Sequence, residues 1–247
     1  MRSRAAPLVA CMLLACAWHD AAGSAELKIF ASRAIWTVLN EVGPEFEKSS
    51  GHKLEVRTGL SPEFVRRINA GEAYDVIAAP PGSLDGLIRT GKIAAGSTTN
   101  IARSGYGVIV RKDAPKPDIG SVDSFKRALL NAKSITYLPV PGVPQLIEKL
   151  GLKETIAAKV TIPNTDASSE LVAKGEIELG IVAATQAFTT PGVELAGPLP
   201  AEIQIYTIFA GAVSVRSNAS DAARELLAYL KGPRATSTIR AQGMEPM

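Results

Sequence analysis

The chain has 247 residues, 46% apolar, 21% charged and 5% aromatic, a globular composition that excludes a disordered, collagen-like or coiled-coil chain. Twenty-seven Lys and Arg against 24 Asp and Glu leave a formal charge of only +3, with no basic run that would track a phosphate backbone, so nucleic-acid binding is not expected. Beyond the N-terminus no apolar stretch approaches the roughly 20 residues that cross a bilayer as a helix.

Arg2 and Arg4 precede an apolar run over residues 5–17, and small residues follow at Ala21, Ala22, Gly23, Ser24 and Ala25. This is the layout of a secretory signal peptide, and it predicts a periplasmic protein. Gly23 and Ala25 offer small side chains at the −3 and −1 positions of a cut before Glu26, so residues 1–25 are read as the leader; a cut after Ala22 competes. Both cysteines, Cys11 and Cys16, fall inside it. Residues 13–16 (LLAC) resemble a lipoprotein processing site weakly, which makes anchoring at Cys16 the less favoured alternative to soluble export. Removing residues 1–25 leaves no thiol and only His52 among histidines, so a cysteine nucleophile, a zinc site and a Ser-His-Asp triad are not expected, and no cofactor is implied. Without disulfides the exported chain must rely on a sizeable core.

Residues 27–31 (LKIFA) read as a short buried strand, and Ile35, Val38, Leu39, Val42 and Phe46 then recur at helical spacing up to Gly51. Residues 53–58 (KLEVRT) alternate like a strand, Gly59 breaks it, and Ser61 is placed as the N-cap of a helix with Pro62 at its first position. Residues 75–79 (DVIAA) form another buried strand, followed by a helix over 83–90 with Gly91 as its C-cap. Such alternation predicts a parallel sheet with helices on both faces.

A strand at 107–111 leads through a Pro-rich turn to a helix over 121–131. Strands are expected at 134–137 and 179–183 (LGIVA), helices at 144–150, 155–159 and 168–174, then two strands over 203–208 and 209–215 and a helix over 220–229 stopped by Lys231-Gly232-Pro233. No flexible linker separates the halves, so the expected fold is α/β, two Rossmann-like lobes joined by crossing hinge strands at about 101–111 and 203–213. Residues 26–105 with 209–247 are assigned to one lobe and 106–208 to the other, in a monomer.

Four segments carry a resemblance to the molybdate-binding protein family of ABC importers, two-lobed periplasmic proteins of the type II architecture: residues 29–32 (IFAS), 67–76 (RINAGEAYDV), 179–182 (LGIV) and 228–233 (AYLKGP). The resemblance implies a solute-binding protein that captures a small anion between its lobes and presents it to an ABC permease. Family members hold an oxyanion with hydroxyls and backbone N–H groups at helix N-termini, where unsatisfied donors favour negative charge. By position, Ser32 and Ser61 match hydroxyl-bearing loops of the family, whereas Arg33 and Ala34 depart. Ala183 stands where molybdate binders often have a tyrosine, and residues 139–144 look like a shortened loop. With two expected contacts gone, molybdate itself is disfavoured; the expected ligand is a small anion, another oxyanion or an organic carboxylate, and the carboxylate is the natural candidate because the Arg33 guanidinium can grip it with two parallel hydrogen bonds.

Each candidate also has a plain structural reading. Arg33 can be a solvated surface residue, Ser61 a helix cap, and Trp36 either core or a wall of the cleft. Tyr137 is a donor from the opposite lobe or a core tyrosine. Asn164, Thr165 and Asp166 fall in the region whose backbone donors touch ligand in the family, with Asp166 also suited to cap the next helix; Thr185 and Gln186 are weaker candidates, and His52 is expected to be exposed in a turn. The scaffold also resembles that of an aconitate isomerase, which moves a double bond in a small tricarboxylate by proton transfer without a cofactor. Asp166, Glu63, Asp85 and Tyr137 are the conceivable bases for that alternative, and a non-enzymatic receptor is the main expectation.

Overall fold

A computed structural model describes residues 23–137, 142–163 and 167–247. The first strand, β1 (Glu26–Ala31), enters α1 (Arg33–Ser50), whose Ile35, Val38, Leu39, Val42 and Phe46 face inward. Gly51 closes that helix in the left-handed region at φ 78°, its N–H donating to the Glu47 carbonyl, a conformation open to glycine without a Cβ penalty. Two further units follow: β2 (Lys53–Thr58) with α2 (Ser61–Asn69), and β3 (Val76–Ala79) with α3 (Pro81–Arg89).

The 13-residue strand β4 (Thr99–Arg111) leads to α4 (Val122–Asn131), begun by a reciprocal Ser121/Ser124 capping box. Next come β5 (Ile135–Tyr137), α5 (Val143–Lys149), α6 (Lys153–Ile156) running into a 3-10 turn, β6 (Val160–Thr161), α7 (Ser168–Ala173), β7 (Leu179–Ala183), α8 (Thr185–Thr189) and β8 (Val193–Pro198). The chain returns through β9 (Tyr206–Val213) and ends with α9 (Ser220–Tyr229), α10 (Pro233–Ala241) and β10 (Glu245–Pro246).

The strands run in the order β2-β1-β3-β9-β4-β7-β5-β6, with β8 and β10 also paired to β4. Pairing is parallel within β2-β1-β3 and within β6-β5-β7, but antiparallel wherever β4 and β9 take part, so the sheet is mixed and not wholly parallel as the βα alternation implied. Two further differences from the sequence reading have physical causes. The strand read at 107–111, within the hinge stretch expected at about 101–111, starts at Thr99: its polar first half pairs with β9 while Ile101 and Ala102 enter the first core. The two strands expected over 203–215 are one, because residues 201–203 form a 3-10 turn held by Gln204, whose side-chain oxygen accepts from the N–H groups of Tyr106 and Ile205 at 2.8 and 3.0 Å.

Helices cover both sheet faces and bury four apolar clusters. Two draw only on residues 25–102 and 209–244: α1, α9 and α10 against one face, and a stack of Phe30 on Phe64 (4.8 Å between centroids) with Tyr74 on the other. The other two draw only on residues 106–205. No cluster mixes the two sets, which is the two-lobed architecture expected from the sequence. Among the described residues no helix is long and apolar enough to cross a membrane.

Candidate functional site in the crevice between the lobes

Strand register fixes where the loops open. Ala31 pairs with Thr58 on one side and Ala78 on the other, all parallel, so the turns carrying Ser32, Ser61 and Pro80 leave one end of the sheet together. Ala79 lies opposite Ala210, and Ala210 opposite Asn100, so β4 runs on past the carboxyl ends of β1 to β3. In the other lobe Ala183, the last residue of β7, lies opposite Tyr106 in antiparallel register, and β5 runs parallel to β7. The carboxyl ends of the two strand sets therefore point at each other. Between them lies the stretch of β4 from Asn100 to Tyr106, roughly 20 Å at about 3.3 Å per residue. The crevice outside strand carboxyl ends is where open α/β sheets take ligands.

On the first lobe, Ser32 is the N-cap residue of the 18-residue α1, yet its side chain makes no capping bond. The Ser32 N–H donates to the Ala78 carbonyl at 2.9 Å and its carbonyl accepts from Ile35 and Trp36, but among the described residues Ser32 Oγ, which is buried, has no partner. Among the described residues no acceptor meets the N–H groups of Arg33 or Ala34 either. A buried hydroxyl and two helix-end amides thus stand open at one turn, the arrangement that receives an anion. Arg33 is exposed and makes no ion pair among the described residues.

Ser61 sits at the neighbouring turn, with one correction: it is the first helical residue and Leu60 occupies the cap, so α2 begins without a side-chain cap and the Ser61 hydroxyl makes no hydrogen bond among the described residues. Trp36 is partly buried against the first core, so it belongs to the packing under α1. Glu63 lies 3.8 Å from Arg67, and Asp85 is exposed on α3.

Tyr137 ends β5 opposite Ile181, at the carboxyl end of the second lobe's strands. It is 9% exposed, and burial pushes its phenol up while the nearby Lys153 partly offsets this. Its ring lines a cavity of about 430 Å³ with Ile147, Glu148, Lys153, Ile156 and Val160, all from the second lobe. Asn164, Thr165 and Asp166 lie outside the described residues, as do residues 139–141 of the 139–144 loop.

His52 is a clear correction. It is 4% exposed, accepts from the Ala25 N–H through Nδ1 at 3.2 Å and sets Nε2 3.4 Å from Glu225, all at the amino end of β1 and away from the crevice.

The structure adds a set of buried hydroxyls that the sequence reading passed over. Thr136 Oγ1 donates to Ser168 Oγ at 3.2 Å, and Ser169 bonds the Gln186 side chain. The Thr185 N–H lies 3.4 Å from Ser104 Oγ, on the part of β4 that spans the crevice, and Thr207 Oγ1 donates to the Tyr106 hydroxyl at 3.3 Å. The cue in the sequence was the Ser168-Ser169 pair opening a helix after β6. Among the described residues no three His, Cys, Asp or Glu side chains gather in a group able to hold a metal ion.

The description of bacterial extracellular solute-binding proteins fits residues 27–245. The chain belongs to this family. It is 31% identical to an aconitate isomerase of a Pseudomonas species over 230 residues, 90% of this chain and 88% of that protein. It is 29% identical to the molybdate-binding protein ModA of Azotobacter vinelandii, covering 94% of this chain and 92% of the relative. The solved periplasmic molybdate-binding protein of Azotobacter vinelandii superposes with a TM-score of 0.69 at 22% identity, over 88% of this chain and 98% of that one, which shows the shared fold.

Proposed function

We propose that this protein is an exported receptor that captures a small organic carboxylate between two lobes and delivers it to an ABC permease. The observation that carries the reading is the open donor set at the head of α1: among the described residues Ser32 Oγ is buried without a partner, the Arg33 and Ala34 N–H groups meet no acceptor, and the Arg33 side chain beside them makes no ion pair. A carboxylate satisfies such a set, since its oxygens accept several hydrogen bonds and a guanidinium matches it in a plane. Ser61 adds a hydroxyl from the next turn, and Tyr137, Thr165 and Asp166 are assigned to the opposite wall. The lobes comprise residues 26–105 with 209–247, and 106–208, a division that the separate cores support. Closure bends β4 and the segment entering β9 while the cores stay rigid. The N-terminal segment of Arg2, Arg4 and the apolar run serves as the export leader, and the relatives' export supports this.

A second reading is favoured by one observation, the 31% identity to an aconitate isomerase over 90% of the chain. On that reading the same crevice holds a tricarboxylate while one base removes a proton from the methylene next to the double bond and an acid returns a proton at the far alkene carbon, so that the double bond moves and nothing is gained or lost. Glu63, in the first turn of α2 beside Ser61, is the described carboxylate nearest in sequence to the open donors of that turn. Proton NMR of cis-aconitate incubated with the purified protein decides between the two. The receptor predicts line broadening or shifts with no new species, the isomerase predicts growth of the trans isomer, and neither effect with this or related di- and tricarboxylates refutes the carboxylate reading altogether.

A further inference from the structure

The residues just before β1 are held as firmly as the strand itself. Ser24 Oγ donates to the Gly51 carbonyl at 2.8 Å, the Ala25 N–H donates to His52 Nδ1 at 3.2 Å, and the Ala25 carbonyl accepts from the Lys53 N–H at 2.8 Å. These bonds extend the parallel β1–β2 pairing outward from the Glu26–Lys53 register. Ala25 packs against the first core, and His52 lies buried beside Phe46, 6.2 Å between ring centroids. His52 Nδ1 accepts only when it carries no proton, so the imidazole hydrogen sits on Nε2, facing the Glu225 carboxylate. A chain beginning at Glu26 would leave the Nδ1 of a buried ring without its partner, and buried polar groups are normally satisfied.

Leader peptidases need small side chains at −3 and −1. Cleavage before Glu26 meets that rule with Gly23 and Ala25 but discards Ser24 and Ala25, and cleavage after Ala22 keeps them but puts Asp20 at −3. The Gly23–Ser24 bond satisfies both demands, with Ala21 at −3 and Gly23 at −1. It also creates a new α-ammonium on Ser24, whose hydroxyl bonds the C-cap residue of α1, and a cation at a helix C-terminus is stabilised by the aligned carbonyls. We infer that the leader is removed at Gly23–Ser24, so that the mature chain starts at Ser24 and the two retained residues seal the amino end of the first lobe over His52. This rests on the export reading of the N-terminus.

The test is to express the full precursor with its own leader in a Gram-negative host, release the periplasmic contents, and determine intact mass and N-terminal sequence. A start at Ser24 is expected. A start at Gly23, Ala25 or Glu26, or at a lipid-modified Cys16, overturns the assignment while leaving export intact; unprocessed protein confined to the cytoplasm instead overturns the export reading itself. Ala21→Asp charges the −3 position of this bond and of neither competitor, and should lower the Ser24-started product by about tenfold or more. An undiminished Ser24 product would mean trimming from an earlier cut and would also overturn the assignment.

Discussion

Ser32→Ala separates a binding hydroxyl from a structural one. At an ordinary helix N-cap, serine to alanine costs about 0.5–2 kcal/mol because a bond to the first turn is lost. Ser32 makes no such bond, and its buried Oγ has no partner among the described residues. A buried unsatisfied hydroxyl costs the fold about 1–3 kcal/mol, so its removal should leave the ligand-free protein as stable or more stable. At roughly 2–4 °C per kcal/mol for a chain of this size, the melting temperature should stay level or rise by a few degrees. With a carboxylate bound the sign reverses. Losing a hydrogen bond to a charged group is worth about 1.5–3 kcal/mol, roughly a 10- to 150-fold loss of affinity. Differential scanning fluorimetry without ligand and calorimetric titration with it measure both quantities on one sample. A clear fall in melting temperature with unchanged affinity would make Ser32 a capping residue and refute the reasoning.

Three other outcomes are expected. Arg33→Ala should weaken a carboxylate ligand by more than about tenfold, with Arg33→Lys recovering only part because an ammonium lacks the planar fork; equal affinity in all three proteins, read by titration calorimetry, would place Arg33 outside the site. Glu47 accepts from the Leu54 N–H at 2.8 Å and from Lys53 at 3.2 Å, and the Leu54 bond chiefly holds its carboxyl below the ordinary 4.5. The unfolded chain binds that proton more readily, so the stabilisation is complete above about pH 4.5 and is lost as pH falls through the lower folded value. Glu47→Gln should accordingly melt below the parent at pH 7, with the gap closing in acid; a gap that does not vary with pH, followed by circular dichroism, contradicts the assignment. A Cβ added at Gly211 would overlap the Leu227 side chain and come within 3.1 Å of Ile101, so Gly211→Ala should cost about 1–3 kcal/mol in denaturant titration, and no loss would mean that Leu227 can swing aside.

The parts of the fold that were legible are those whose cause is local. The helical spacing of Ile35, Val38, Leu39, Val42 and Phe46 marks α1, and Ser121 with Ser124 marks the start of α4, because periodicity and capping act within a few residues. The candidate turns at Ser32 and Ser61 were legible for the same reason, as strand ends meeting helix starts. The helix α9 ends at Tyr229 as expected, ahead of Lys231-Gly232-Pro233; what was missed is that Pro233 also opens α10, since proline's fixed φ suits a first helical turn. The first half of β4 was legible only as a hinge stretch from about residue 101, with no periodicity to mark its start at Thr99, because its partners, β9 and β10, lie a hundred residues or more away in the chain. His52 was hidden for a related reason, its burial being decided by α1 and α9 and not by the Gly-His-Lys turn around it. The hydroxyls of Ser104 and Thr136 carry no spacing signal, since two separate strands, β4 and β5, supply them, and only the Ser168-Ser169 pair that opens α7 offered a cue.

The central claim is that the facing strand ends form a crevice for one small carboxylate. Isothermal titration of the purified protein with dicarboxylates, tricarboxylates, sulfate and molybdate tests it most directly. The account predicts saturable binding of a di- or tricarboxylate at one site per chain, sharply weakened in Ser32→Ala and Arg33→Ala, with neither inorganic oxyanion competing. Tight binding of molybdate or sulfate with no response to any carboxylate would contradict it.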